Sequence, residues 1–77
     1  MKNVEIRYCK VWASFLPRAA RVAELIKKEL GINAELKEGD RGEFSVLVND
    51  KVVAKKGMLF FPKDRKVLTA VRQALAG

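Results

Sequence analysis

The residue best suited to covalent chemistry in this sequence is Cys9, its lone cysteine. Cys9 stands between an alternating segment that ends at Tyr8 and a long amphipathic segment, which places it between a predicted strand and a predicted helix. Unpaired backbone N–H groups and the positive end of a helix dipole favour a thiolate over a thiol at such a junction. Lys10, the next residue, is expected to strengthen this effect. We therefore treat Cys9 as a candidate redox thiol.

The resolving partner of a dithiol motif is missing. In a Cys-x-x-Cys motif the second cysteine stands three positions after the first, where it displaces the partner from a mixed disulfide. That position is Trp12 in this chain. A dithiol cycle within one chain is therefore excluded.

The composition excludes most other kinds of catalytic site. The chain has no histidine, which removes Ser-His-Asp and Cys-His nucleophilic sites, and with one cysteine it also lacks the ligands of an ordinary zinc site. We therefore predict no metal site. The glutamates occupy polar positions of the predicted elements, which indicates solvated faces. They are Glu5, Glu24, Glu29, Glu35, Glu38 and Glu43.

Length and hydropathy predict one small domain over residues 1–77. No apolar run approaches the ~18 residues that cross a bilayer, and the first residues lack the apolar segment of a secretory signal. A lone cysteine cannot form an internal disulfide, which suits a reducing compartment. We therefore expect a cytoplasmic protein without a membrane partner. No oligomeric state follows from the sequence.

The positive charge is concentrated in the last third of the chain. The formal net charge is +7, and residues 51–77 carry seven basic residues and one acidic residue, whereas residues 1–50 are nearly balanced. A surface built from these cations would attract an anionic partner, such as nucleic acid, an acidic protein or glutathione. The alternative is a surface that only keeps the protein soluble.

Alternating polarity predicts a strand over residues 3–8. Val4, Ile6 and Tyr8 alternate with polar residues, which is the period of a strand with one buried side and one solvent-facing side. A central strand covered on both sides would be apolar throughout. The pattern therefore predicts helices on only one face of the sheet, in a two-layer arrangement.

A helix is predicted from Ser14, its N-cap, to Gly31, its C-terminal stop, with Pro17 in the first turn. Its apolar stripe consists of Leu16, Ala19, Ala20, Val22, Ala23, Ile26 and Leu30. Residues 32–37 alternate again and predict a second strand. A strand, a crossover helix and a second strand form a right-handed parallel unit, which would pair this strand with residues 3–8.

The following segment predicts a hairpin and a last helix. Residues 39–42 suit a turn, residues 44–48 a strand, Asn49-Asp50 a two-residue hairpin turn and residues 52–54 the return strand. Gly57 to Phe61 is predicted to be a loop. The last helix is predicted to begin with Pro62 at its first position and Asp64 near its start, and an apolar stripe follows. The stripe is Val67, Leu68, Val71, Ala74 and Leu75. The predicted order is β-α-β-β-β-α, an α/β (α+β two-layer) fold with a four-stranded mixed sheet and both helices on one face.

Four ordered stretches carry a resemblance to a known family. They are residues 4–9, residues 18–19 with 23–25, residues 42–44 with Val46, and residues 55–57 with 61–62. Together they resemble, over essentially the whole chain, the selenoprotein W-like Rdx proteins, which have a thioredoxin-like fold. The resemblance implies a Cys-x-x-Cys or Cys-x-x-selenocysteine motif at the first strand-to-helix turn and a thiol or selenol role in cell redox homeostasis. Only Cys9 of that motif is present, because Trp12 occupies the second position.

Two functions follow from this resemblance. In the first, Cys9 is a monothiol redox centre that reacts with glutathione or a protein disulfide, with oxidoreductase activity weakened or lost by the degenerate motif. In the second, the domain is a non-catalytic interaction module, in which Trp12 forms a protein-binding surface beside the basic last third. The binding residues in either case are Lys10, Val11, Trp12, Phe60 and Phe61. For Cys9 and Trp12 the purely structural alternative is a buried packing residue.

Nucleic-acid binding is disfavoured. Gly39-Asp40-Arg41-Gly42 matches the Gly-x-x-Gly loop of KH domains, and the protein is basic. In a KH domain, however, that loop joins two helices, whereas residues 44–48 after it are strand-like. The aromatic residues also lack the regular spacing of a stacking platform.

Overall fold

A computed structural model describes residues 3–57 and 60–76 and contains the elements in the predicted order. The bounds are β1 Val4–Tyr8, α1 Phe15–Leu30, β2 Glu35–Glu38, β3 Phe44–Val48, β4 Lys51–Lys55 and α2 Asp64–Ala76. The sheet has the strand order β2-β1-β3-β4; β1 and β2 are parallel, and β3 is antiparallel to both β1 and β4. The two helices contact each other on one face of the sheet, which confirms the predicted two-layer architecture.

The core lies between this face of the sheet and the helices. Alternate side chains of β1 and β3 point toward the helices, where they meet the apolar stripes of α1 and α2. The buried set is Val4, Ile6, Tyr8, Cys9, Phe15, Ala19, Val22, Ile26, Phe44, Val46, Val48, Val67 and Val71. The alternation in the sequence therefore identified the buried side of β1 correctly.

The other side of β1 differs from the prediction. The sequence pattern predicts a solvated position for Glu5, yet its side chain is only 2% exposed. Arg7 Nε donates a hydrogen bond of 2.6 Å to Glu5 Oε2, and Lys37 Nζ lies 3.5 Å from Glu5 Oε1. The cross-strand neighbour Leu47 is also buried on this face. Glu5 is therefore buried because two cationic side chains and an adjacent leucine cover it, and not because it faces the core.

Helix α1 ends as predicted but begins somewhat differently. Gly31 has a left-handed φ of 70° and donates its N–H to Lys27 O over 2.9 Å, so it stops the helix as expected. Ser14 occupies the N-cap position, but its side chain makes no capping hydrogen bond. Phe15, absent from the predicted stripe, is buried, whereas Leu16 is 48% exposed.

Strand β2 is shorter than predicted. The parallel register begins with Glu35 opposite Glu5, near the first residue of β1. Residues 32–34 precede this pair and are not part of the β1–β2 ladder. The strand itself is exposed along its whole length because it is an edge strand beside α1. The predicted parallel pairing is confirmed, while its first residue is Glu35 and not Ile32.

The hairpin of β3 and β4 follows its turn chemistry. Asn49 and Asp50 have φ values of 51° and 69°, the two positive values of a type I′ turn, which asparagine and aspartate tolerate. The register then shifts: Val46 faces Ala54 and Leu47 faces Val52, which leaves Val53 as the extra residue of a bulge. The hairpin prediction is confirmed.

Helix α2 begins later than predicted. Its first residue is Asp64, and Lys63 O accepts the N–H of Val67 over 3.0 Å, so Lys63 precedes the helix and Pro62 lies outside it. The predicted loop from Gly57 to Phe61 includes two residues outside the described ranges. Within residues 3–57 and 60–76, no helix is long and apolar enough to cross a membrane.

Candidate thiol site

Cys9 lies where β1 leaves the sheet. Its N–H donates to Glu43 O over 2.9 Å, which extends the β1–β3 ladder by one step. On the other side, the N–H of Gly39 donates to Tyr8 O over 2.8 Å, just beyond β2. The β2–β3 turn therefore lies against the start of the loop that follows β1, and it supplies part of the surroundings of the thiol.

The sulfur is surrounded by backbone N–H groups. The N–H of Gly42 has the largest effect and lowers the pKa of the Cys9 thiol, while burial opposes it and raises the pKa. The N–H groups of Trp12 and Val11 and the positive charge of Arg41 also lower it, and the net result is a pKa below the ordinary value. Cys9 is only 1% exposed. The site therefore makes the Cys9 thiol more acidic than usual and shields its sulfur from solvent.

The groups that lower the thiol pKa come from two segments. Helix α1 begins at Phe15, and the N–H groups that act on the sulfur belong to the loop before it and to the β2–β3 turn. The cation that lowers the thiol pKa is Arg41 and not Lys10, which is exposed. The predicted parallel pairing contained a signal for this, because parallel strands end at the same edge of a sheet and the turn after β2 must meet the loop after β1.

Trp12 joins the loop to this turn. A Cβ atom added to Gly42 would lie 3.5 Å from the Trp12 ring, so the indole lies directly over that glycine. Gly42 has a φ of 77°, which L-residues with side chains rarely adopt. The Trp12 ring also contacts Phe15. The two ring centroids are 5.4 Å apart, in an edge-to-face arrangement. Trp12 thus holds together the two segments whose N–H groups face the sulfur.

An aromatic chain continues from Trp12 into the core. Phe15 contacts Phe61 at 4.9 Å between centroids, and Phe61 contacts Phe44 at 5.2 Å, both edge-to-face. Phe44 is the β3 partner of Tyr8, so Trp12 and Phe61 lie at the Cys9 end of the sheet. The Arg18 guanidinium lies 4.6 Å from the Phe61 ring centroid. The role of these residues in binding stays a prediction.

The remaining predicted site residues are at the surface. Val11 is 71% exposed and Phe60 is 76% exposed, while Trp12 is 45% exposed. Leu16 is exposed as well. Val11, Trp12 and Leu16 lie close together along the chain, and Phe60 precedes Phe61, whose ring contacts Phe15, so we refer to these four residues as the apolar patch. Among residues 3–57 and 60–76, no group of three cysteine, aspartate or glutamate side chains is placed to hold a metal ion.

Comparisons with known proteins agree with this fold. The family model of the Rdx family matches residues 3–73. No curated protein matches the chain. A solved structure of a protein from Bordetella parapertussis is similar, with a TM-score of 0.83 at 23% identity over 95% of this chain and 96% of that chain. A selenoprotein W-related protein from Vibrio cholerae is similar, with a TM-score of 0.82 at 18% identity over 96% of each chain. The match over residues 3–73, together with the fold, shows that this chain belongs to the Rdx family.

Proposed function

We propose that this protein is a monothiol redox protein that forms a mixed disulfide with glutathione at Cys9. The observation that carries the proposal is the set of backbone N–H groups around the sulfur, which lowers the thiol pKa without help from a second cysteine. Cytoplasmic glutathione suits a chain whose lone cysteine has no partner for an internal disulfide.

The reaction is a thiol–disulfide exchange. The Cys9 thiolate attacks one sulfur of glutathione disulfide, the S–S bond of that molecule breaks, and one glutathione leaves as a thiolate. Cys9 is thereby oxidised to the mixed disulfide. A molecule of reduced glutathione then attacks the glutathione sulfur of the adduct, which restores the Cys9 thiolate and releases glutathione disulfide.

Burial makes this exchange slow. An attacking sulfur must approach along the line of the disulfide bond, and Cys9 is only 1% exposed. The loop of Lys10, Val11 and Trp12 lies between Cys9 and helix α1, and its side chains are all exposed. We therefore propose that the exchange requires the Trp12 ring to leave Gly42, and that the protein as it stands has weak oxidoreductase activity.

The proposal is tested by the pH dependence of Cys9 alkylation and by mass spectrometry after incubation with glutathione disulfide. We expect the alkylation rate to reach half of its maximum at a pH below ~8.5, the pKa of a free cysteine thiol. One glutathione adduct should form and should be released by reduced glutathione. An alkylation midpoint at or above that of free cysteine, with no adduct after a long incubation, would contradict the proposal.

Trp12→Cys provides a second test, since it restores the missing resolving thiol. If Cys9 takes part in exchange, the variant should release glutathione from its own adduct and form an internal disulfide, provided that the loop reaches disulfide geometry. Trp12→Ser is the matched control, because it opens the loop without adding a thiol. Equal release of glutathione by both variants would show that no resolution occurs within the chain.

The apolar patch supports a second function, that of a protein-interaction module. Val11, Trp12, Leu16 and Phe60 expose large side chains beside the Cys9 loop, and side chains of this kind dominate binding energies at protein interfaces. Selection from a peptide library, with counter-selection against the double variant Val11→Ser/Phe60→Ser, tests this function. Peptides that bind the parent protein and not the double variant would support it; equal binding to both would exclude the patch as the interface.

A further inference from the structure

A groove of about 500 Å³ runs between the edge strand β4 and helix α2. Its apolar lining comes from Val53 and Ala54 of the strand, Pro62 before the helix and Ala70 on the helix. None of the residues that line this groove belongs to the loop around Cys9. We refer to it as the β4–α2 groove, and the inference drawn from it is independent of the thiol chemistry proposed above.

Cations stand on both sides of the β4–α2 groove. Lys55 approaches from the strand, and Arg65 and Lys66 approach from the first turns of the helix. In the described part of the chain, none of these three side chains forms an ion pair. The single acidic residue of the last third, Asp64, is turned away from the groove toward α1, where its Oδ2 lies 3.2 Å from Arg21 Nε. The rim of the groove therefore carries positive charge without internal compensation.

The groove is elongated. Arg65, Thr69 and Gln73 line it at successive turns of α2, and a second cavity of about 420 Å³ continues it past Val53 to Ala74 and to Lys51, at the other end of β4. From Arg65 to Ala74 the helix rises by about 14 Å at ~1.5 Å per residue. An extended peptide covers that length with about four residues. A linear segment fits this shape better than a single anionic group does.

The outer edge of β4 disfavours a second copy of this chain as the occupant of the groove. β4 pairs only with β3, so its outer edge is open among the described residues. Two such edges brought together would place Lys51 and Lys55 of one copy near those of the other, and lysines on edge strands oppose such pairing. The bulge at Val53 interrupts the regular ladder as well. The same lysines attract a segment of opposite charge.

We propose that the β4–α2 groove binds an extended acidic peptide segment of a partner protein. One or two apolar side chains of the segment lie on Val53, Ala54 and Ala70. Its flanking carboxylates face Arg65 and Lys66 at one end and Lys51 at the other. Positive charge on the rim speeds the encounter with an acidic segment, and the apolar floor favours segments that also carry apolar side chains.

Fluorescence anisotropy with a labelled eight-residue peptide of alternating glutamate and valine tests the proposal. We expect saturable binding that weakens as salt is raised, and at least about tenfold weaker binding to Arg65→Glu/Lys66→Glu. Thr69→Trp, which fills the groove at an exposed position without changing charge, should weaken binding similarly. The double variant Lys28→Glu/Arg72→Glu is the matched control, because it changes the net charge by the same amount and replaces two exposed cations outside the groove. Thermal melts of every variant confirm that it is folded.

The comparison of probes completes the test. Peptides in which lysine replaces glutamate, or serine replaces valine, should bind at least about tenfold more weakly than the first probe. Cys9→Ser should bind the first probe as the parent does, which separates this surface from the thiol. Equal binding by the groove variants and the control variant would overturn the proposal. So would tighter binding of a single-stranded oligonucleotide than of the acidic peptide, since the surface would then be a nucleic-acid site.

Discussion

Glu5 and Cys9 are two buried ionisable groups four residues apart in and just after β1, and the protein stabilises their anions by different means. The pKa of Glu5 is lowered first by the side-chain hydrogen bond from Arg7, with further contributions from the charges of Arg7 and Lys37. The pKa of Cys9 is lowered first by the backbone N–H of Gly42, and a side-chain charge, that of Arg41, contributes least. One anion depends on partly exposed cationic side chains, whereas the other depends on the path of the backbone.

This difference determines how salt and single substitutions affect the stabilisation of each anion. Arg7 and Lys37 are about half exposed, so salt screens them and a single substitution removes either one. Apart from proline at position 42, no substitution removes the N–H of Gly42, and other changes act on it only by displacing the loop or the turn. The environment of the thiol is therefore a property of the fold and does not require a second cysteine at position 12.

The largest effect is expected at Glu5. Arg7→Met/Lys37→Met keeps much of the side-chain length that covers Glu5 and removes both cations, which leaves a buried carboxylate without compensation. We expect the Tm at pH 7 to fall by about 10 °C, a value reduced from that of a fully buried pair because this face is partly open to water. Adding Glu5→Gln to the double variant should recover most of the loss in the same thermal melt. No recovery would mean that the charge is not the cause.

The next effect concerns Trp12. Trp12→Ala removes the ring that lies over Gly42, so we expect Cys9 alkylation at pH 7 to accelerate by about tenfold through easier opening of the loop. The apparent pKa should also rise toward that of a free cysteine, because the loop N–H groups are no longer held at the sulfur. Phe60→Ala is the control, since Phe60 is an exposed aromatic residue on the same patch. An unchanged rate in Trp12→Ala would show that backbone order at Cys9 does not depend on the indole.

A smaller effect is expected in the acid range. Because the folded pKa of Glu5 lies below its ordinary value of 4.5, ionised Glu5 stabilises the protein above pH 4.5, and this contribution is lost as the pH falls through the folded pKa. Glu5→Gln lacks this contribution at every pH. We expect the Tm of the parent protein to fall by about 5 °C more than that of Glu5→Gln between pH 6 and pH 3. Parallel curves would contradict an ionised Glu5.

The smallest effect is expected at Arg41. Arg41→Gln removes only the weakest of the influences that lower the Cys9 pKa, so the alkylation rate at pH 7 should fall by no more than about twofold. Raising the salt concentration should have a similarly small effect on the parent protein. A large fall in the alkylation rate of Arg41→Gln would contradict this prediction. It would show that the Cys9 thiolate, like the Glu5 carboxylate, depends on a side-chain charge. Lys10→Gln serves as the control and should change the rate even less.

Local signals in the sequence predicted most of the fold. The alternation in residues 3–8, the left-handed residue at Gly31 and the Asn49-Asp50 turn each depend on a few neighbouring residues, and each was confirmed. The position of Pro62 was wrong by about two residues because the helix start is set by Lys63 and Asp64, and proline suits several positions before a helix.

The parts that were missed depend on residues distant in the chain. Glu5 is polar and in a polar position, and its burial requires Lys37, which β2 brings beside it. Likewise, Arg41 and Gly42 act on Cys9 only because the β2–β3 turn meets the loop after β1. The sequence located the candidate thiol itself, since it is the lone cysteine, but the groups that tune it appear only when the sheet is assembled.

The interior position of β1 has a consequence for how the protein folds during synthesis. Its partners follow thirty or more positions later, as in the pairs of Glu5 with Glu35 and Val4 with Val48. Ribosomes add roughly 5–20 residues per second, so several seconds pass between the synthesis of β1 and that of β3. Such non-local pairing also slows folding itself. During that interval Cys9 is as accessible as a cysteine in any unfolded chain, and the nascent protein is open to oxidants from which the finished sheet shields it.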